Sequence, residues 1–269
     1  MKESEWAKKL GRGIWWEPEK LENGKTQDRM ENIPNVMKCF CGSHPMPIYP
    51  PAIYSVNDED MEVLLAGVPR SGNTVTWQIL NSLLDGKVIR THGFRDSCPV
   101  FYGFKKVIVT VRNPYDVAYS LQRVGWYSKE RNQEIWDDMK KFVSLKRFQQ
   151  VMGYRSDLDL VFLKYEDVWN KPKERINFLS SALEINLSNN KILDIISHTS
   201  IEKNIERSEK QKIVSDQAGK RIQDENKINP EHIGSRKGVP GQGKNLSSWT
   251  KQEVLRTCSW AFDCFGYEK

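Results

Sequence analysis

No apolar run in this 269-residue sequence reaches the roughly eighteen residues that a membrane-spanning helix needs, so no membrane partner is expected. Long blocks of like charge are missing too. The 41 basic and 35 acidic residues are interspersed, and the net charge of +6 implies a mild preference for anionic ligands rather than a nucleic-acid surface. Cysteine is sparse and odd in number: five residues between Cys39 and Cys264, with no apolar signal segment behind Met1. That pattern argues against a disulfide framework and fits a reducing cytoplasm. Cys39-Phe40-Cys41 with His44 is the nearest approach to a metal set, but no second Cys/His pair at zinc spacing follows, so no metal is expected. Neither an internal repeat nor a firm domain boundary is visible. With 38% hydrophobic residues, the chain reads as a single domain over residues 1–269.

What is present is an anion cradle. Val63-Leu64-Leu65-Ala66 is an apolar β-run that breaks at Gly67 into a turn closed by Gly72, and a helix follows. The spacing Gly67-x-x-x-x-Gly72 is that of a phosphate-binding loop, yet Asn73-Thr74 stands where a nucleoside-triphosphate site carries Lys and Ser/Thr. A cation sits inside the turn at Arg70, whose planar fork suits a phosphate or sulfate oxygen pair. The loop is therefore expected to hold an anion other than a nucleoside triphosphate. Taken alone, the stretch also fits a strand, a Gly turn and a helix with no ligand.

Residues 1–60 have weak periodicity and frequent Gly and Pro, and read as an N-terminal arm of ordered loops packed on the core, with Trp15 and Trp16 as packing aromatics. Apolar residues at helical spacing predict a helix over 74–84. A short strand over 87–91 ends at His92. The run 105–111, rich in Val and Ile, predicts a strand buried on both faces and ending at Arg112-Asn113-Pro114. Pro114 starts the next helix, 115–123. An amphipathic helix over 135–151, a strand over 158–163 ending at Lys164-Tyr165-Glu166-Asp167, and helices over 172–183 and 189–197 follow. Residues 208–245 turn polar and Gly-rich and read as a lid-like loop; 250–262 closes the chain as a helix.

Strands alternating with helices predict an α/β fold: a mostly parallel sheet flanked by helices, with ligands at the carboxyl ends of its strands. Arg70, His92, Arg112 and Tyr165 each stand just past such an end. Their convergence on one edge would make a site.

These pieces resemble the cytosolic-type sulfotransferases that use 3′-phosphoadenosine 5′-phosphosulfate (PAPS), whose fold is P-loop-like. Pro69-Arg70-Ser71-Gly72-Asn73-Thr74 is similar to that family's 5′-phosphosulfate loop, Pro-Lys-Ser-Gly-Thr-Thr, in the Arg/Asn form common among bacterial members. Arg112-Asn113-Pro114-Tyr115-Asp116-Val117-Ala118-Tyr119-Ser120 resembles the 3′-phosphate motif, in which the Arg and the Ser hold that phosphate. Residues Arg236-Lys237-Gly238 open a segment, to Asn245, similar to the family's Arg-Lys-Gly-x-x-Gly-x-x-Lys-Asn. Arg90-Thr91-His92 is similar to Lys-Thr-His, whose histidine is the catalytic base. Tyr165 and the pair Thr199 and Ile201 match positions that border the adenine. Three departures stand out: Val75 replaces the stacking Trp, with Trp77 two residues later; Ile201 replaces a usual Phe; and the dimer motif keeps only its ends, Lys244 and Glu253. That last change leaves the oligomeric state open.

The resemblance implies a PAPS-dependent enzyme, with PAPS as co-substrate and no metal, that sulfonates a hydroxyl or amine of a small-molecule acceptor. His92 would act as base; Arg70 and Arg90 would stabilise the sulfonate and the leaving phosphate. Arg112, Ser120, Arg236, Lys237 and Gly238 would take the 3′-phosphate, and Arg70 to Thr74 the 5′ end. The other histidines, His44, His198 and His232, read as structural or surface groups. Phe94, Phe101, Tyr102, Trp126 and Tyr127 lie near motifs that would rim the acceptor pocket. A partly flat or cationic substrate is expected there, a natural product if the chain resembles the cyanobacterial sulfotransferases that modify the guanidinium toxin saxitoxin, with carbohydrate acceptors left open. The competing reading, a P-loop kinase or NTPase using ATP and magnesium, lacks the loop lysine and a strand ending in Asp.

Overall fold

The computed structural model describes residues 63–90, 104, 106–152, 158–217 and 238–269. The N-terminal arm, His92, Arg236, Lys237, Phe94, Phe101 and Tyr102 lie outside the described residues. Strands β1 (Val63–Gly67), β2 (Val88–Arg90), β3 (Lys106–Val111) and β4 (Asp159–Lys164) form one sheet in the order β2-β1-β3-β4, with every neighbouring pair parallel. The α/β fold with a parallel sheet is thus as expected.

β1 and β3 are central and almost wholly buried, which is why they are near-continuous Val, Leu, Ile and Ala. Their side chains alternate between two cores. Leu64, Ala66, Val107, Val109 and Val111 face one core, which α2 (Pro114–Arg123), α3 (Lys129–Met152) and α8 (Ser248–Phe265) cover through Val117, Leu121, Trp136, Phe142, Val254 and Phe262. Val63, Leu65 and Ile108 face the other, covered by α1 (Asn73–Leu83), the short α4 (Tyr165–Val168), α5 (Pro172–Ala182) and α6 (Asn189–Thr199) through Ile79, Leu80, Val168, Ile176, Leu179, Ile192 and Ile195. Each such side chain contributes about 1.5–3 kcal/mol by leaving water. The amino rim of the sheet is tied by Lys106, whose ammonium pairs with Asp159 at 3.2 Å and reaches the carbonyl of Ala182.

Two elements depart from the sequence expectation. α3 begins at Lys129, six residues before the amphipathic run, because its first turns are polar. α7 (Ile201–Gln217) extends helix into the stretch read as a lid-like loop. Its buried positions include Asn204, Ser208 and Gln211, so its inner face carries no hydrophobic period. Among the described residues no helix is long and apolar enough to cross a membrane.

Strand order fixes where a ligand can sit. The chain leaves β1 toward β2 on one side, while β3 leads to β4 on the other. The loops after β1 and β3 therefore part company at the carboxyl rim and open a crevice between them.

Candidate active site

The loop after β1 is held open from beneath. Gly67 pairs with Thr110 of β3, and a Cβ at Gly67 would stand 2.2 Å from the Thr110 hydroxyl and 2.5 Å from its carbonyl oxygen. Only glycine fits there. The Thr110 hydroxyl lies 2.6 Å from Ser71 Oγ and donates a short bond to Asn73 Oδ1, while Ser71 Oγ donates to the Val68 carbonyl at 2.5 Å and Asn73 Nδ2 to the Gly67 carbonyl at 3.3 Å. Ser71 and Asn73 thus turn their side chains inward, onto β1 and β3. What they offer outward is main chain, at the start of α1, where the first amides have no acceptor within the helix. Arg70 and Gly72 adopt the left-handed conformation, φ 70° and 87°, which lifts the Arg70 side chain over the turn. Arg90, at the end of β2, donates to Thr74 Oγ1 at 3.3 Å.

Arg112, the first residue past β3, joins this loop to two other parts of the chain. Its Nη1 donates to the Arg70 carbonyl at 3.0 Å, and its Nη2 to the carbonyls of Gly238 and Val239 at 3.1 and 3.3 Å. Ser120, on α2, accepts from Arg70 Nε at 2.8 Å. The Tyr165 ring lies 4.5 Å from the Arg112 guanidinium, and its hydroxyl donates to Gly238 O at 2.9 Å. A Cβ at Gly72 or at Gly238 would strike Tyr165, at 2.8 and 2.5 Å. Tyr165 is therefore wedged between the β1 loop and the Gly-rich turn, which is why both positions are glycine.

The electrostatics favour an anion. Burial and the neighbouring guanidiniums of Arg112 and Arg123 pull Arg70 down to about 10. Burial also lowers Arg90 and Arg175 and raises Tyr165, the last opposed by Arg112 and Arg175. Arg112 is 5% exposed, yet among the described residues its Nε–H has no partner, and neither has Arg175 Nε–H. A buried donor without an acceptor costs about 1–3 kcal/mol. A ligand with several anionic oxygens would relieve the mutual repulsion of these guanidiniums.

Four expected site regions therefore meet: Arg70 to Thr74, Arg112 with Ser120, Tyr165, and Gly238. Thr199 and Ile201 stand at the α6–α7 junction, where the Thr199 hydroxyl donates to Ile195 O at 2.8 Å, and no hydrogen bond joins them to the cluster. Trp77 is committed to the core with Arg90 5.9 Å from its ring, and Trp126 and Tyr127 pack against the α2–α3–α8 core. His198 is an exposed residue beside Asp194. Sequence reading missed Thr110, because its partners Ser71 and Asn73 lie 39 and 37 residues away in the chain. It also missed the strap made by Glu166, whose carboxylate accepts from Asn113 N–H and from the Tyr267 hydroxyl, both at 2.9 Å.

Comparison with known proteins bears on this geometry. The family model of the sulfotransferase domain matches residues 85–238, more than half of the chain. No curated protein sequence matches. Among solved structures, the chain is similar to the mouse sulfotransferase SULT7A1 complexed with PAP, at 13% identity and a TM-score of 0.51, covering 78% of this chain and 88% of that one. It is also similar to retinol dehydratase in complex with androsterone and the inactive cofactor PAP, at 16% identity and a TM-score of 0.49, covering 78% and 83%. At such identity the mouse structure supports the fold.

Proposed function

The chain belongs to the sulfotransferase family, and on that premise we propose that it moves a sulfonate group from PAPS to a hydroxyl or amine of a small-molecule acceptor, releasing 3′,5′-ADP. The observation that carries the donor assignment is Arg112, a buried guanidinium shared between the β1 loop and the Gly-rich turn.

Two anionic groups are needed for the cations at the two ends of this crevice. The β1 loop, Arg70 to Thr74, with the start of α1, would hold the 5′-phosphosulfate; Arg112, Ser120 and Arg236 to Gly238 would hold the 3′-phosphate. Ser120 accepts from Arg70 and so keeps its own proton to donate. Tyr165, Thr199 and Ile201 would border the adenine. His92 would take the acceptor's proton as the acceptor oxygen or nitrogen bonds to sulfur and the bond from sulfur to the 5′-phosphate oxygen breaks. Arg70 and Arg90 would stabilise the charge gathering on that departing oxygen, a role that contributes several kcal/mol when the donors are already in place.

For the acceptor we extend the reading to a natural product of a bacterial cytoplasm, such as a guanidinium toxin of the saxitoxin kind. The Arg/Asn form of the β1 loop supports the bacterial branch, and the aromatic residues that follow His92 in the sequence, Phe94, Phe101 and Tyr102, support a flat or cationic molecule. A kinase reading is not favoured. Asn73 fills the lysine position with a side chain turned into the sheet, and the residue that follows β3 is Arg112 where a kinase site would carry an aspartate.

The test is mass-spectrometric: the protein, PAPS and an acceptor panel, without added divalent metal. A product heavier by one sulfonate is expected. Absence of 3′,5′-ADP binding together with magnesium-dependent ATP hydrolysis would overturn the proposal.

A further inference from the structure

Asp116 is an acid in the first turn of α2, where the helix dipole alone would welcome it. Its contacts go well beyond that. The carboxylate is 2% exposed; Oδ1 accepts the Gly243 N–H at 2.6 Å, and Oδ2 accepts the Gly241 N–H at 2.8 Å and faces Arg112 Nη2 at 3.5 Å. Two of these donors come from more than a hundred residues further along the chain. The turn is laid directly on α2: a Cβ at Gly243 would stand 2.3 Å from Tyr115 Cβ, and Gly241 has φ 79°.

The same turn supplies the carbonyls of Gly238 and Val239, which receive Arg112 Nη2. Arg112 is thus fixed at Nη1 by the β1 loop and at Nη2 by the turn. Asp116 anchors the backbone that supplies the second of these clasps.

We propose that Asp116 is a positioning residue for the second phosphate of the nucleotide: by gripping the Gly241 and Gly243 amides, it seats the carbonyls that hold the Arg112 guanidinium beside the β1 loop. The proposal rests on the nucleotide reading above. An asparagine in its place has the same shape, but it puts an NH₂ group against one of two backbone N–H donors, so one clasp opens.

The experiment compares calorimetric titrations of 3′,5′-ADP and 5′-AMP into the wild type and Asp116→Asn. Asp116→Asn should weaken 3′,5′-ADP by about tenfold or more, as expected for loss of a buried charge-assisted bond, and leave 5′-AMP within about twofold. In turnover, KM for PAPS should rise more than kcat falls. A merely structural role would weaken both nucleotides alike. Gly243→Ala attacks the same clasp from the α2 side and should show the same selective loss; it decides the matter if Asp116→Asn does not fold. Amide exchange needs no variant at all: Gly241 and Gly243 should be protected in the wild type with and without 3′,5′-ADP, and fast exchange in both states overturns the proposal. A folded Asp116→Asn with the wild-type preference for 3′,5′-ADP also overturns it. If the wild type binds neither nucleotide, the sulfotransferase reading falls instead.

Discussion

Thr110→Val tests the idea that the β1 loop is shaped from below by β3. Valine keeps the outline and the β-branched stiffness of threonine, so strand geometry and packing are preserved and only the hydroxyl is removed. That hydroxyl is 1% exposed and engages Ser71 Oγ at 2.6 Å and Asn73 Oδ1. The Thr110 proton goes to Asn73 Oδ1 and that of Ser71 to the Val68 carbonyl, so the variant deprives the buried Asn73 Oδ1 of one donor, at a cost of about 1–3 kcal/mol. For a chain of this size that is a fall of about 2–12 °C in Tm. Thr110→Ser is the control, because it keeps the hydroxyl and loses one methyl group, for about 0.5–1.5 kcal/mol. Urea titration of both variants gives the stabilities, and calorimetry gives 3′,5′-ADP affinity. The affinity should drop severalfold in Thr110→Val and stay near wild type in Thr110→Ser. If Thr110→Val proves as stable as Thr110→Ser and binds as well, the loop does not depend on the strand beneath it.

Arg112→Lys keeps the charge but replaces a fork engaged with Arg70, Gly238 and Val239 by a single ammonium, and 3′,5′-ADP affinity should fall by about a hundredfold in direct titration. Arg70, lowered to about 10 by burial and by Arg112 and Arg123, binds an anion only while protonated, so affinity measured against pH should be flat from neutrality and decline once pH passes about 10. The sign for folding is the reverse: between the two pKa values the unfolded chain holds more protons, so this group's contribution to stability improves as pH rises through that window. His92→Ala should abolish turnover in single-turnover assays while leaving 3′,5′-ADP binding within about twofold; full activity would remove His92 from the role of base.

How far the sequence could be read depended on whether a signal was local. β3 and the β1 loop were visible because a Val/Ile run and two glycines five residues apart are short-range patterns. The inward turn of Ser71 and Asn73 was not, since their partner Thr110 lies on another strand and nothing near it marks the pairing. Arg112 and Asp116 stand four residues apart, a local spacing, but the grip of Asp116 on Gly241 and Gly243 depends on a contact between distant segments. α7 was partly missed for a different reason. Its buried face is built from Asn204, Ser208 and Gln211, and the Gln78–Asn204 amide pair at 3.0 and 3.1 Å does there what leucines do in α1. Periodicity of hydrophobic residues cannot reveal a helix that packs through amides.

The arrangement of the sheet also has a practical side. The groups gathered in the cluster leave the strands at one rim, and the opposite rim, tied by Lys106 and Asp159, holds none of them. The connection between α5 and α6 at residues 183–188 lies on that far side, near the Ala182 carbonyl that Lys106 holds. A fluorophore, an immobilising tether or a grafted reporter module attached there would sit a full strand length from the crevice, which makes it the place to instrument the enzyme.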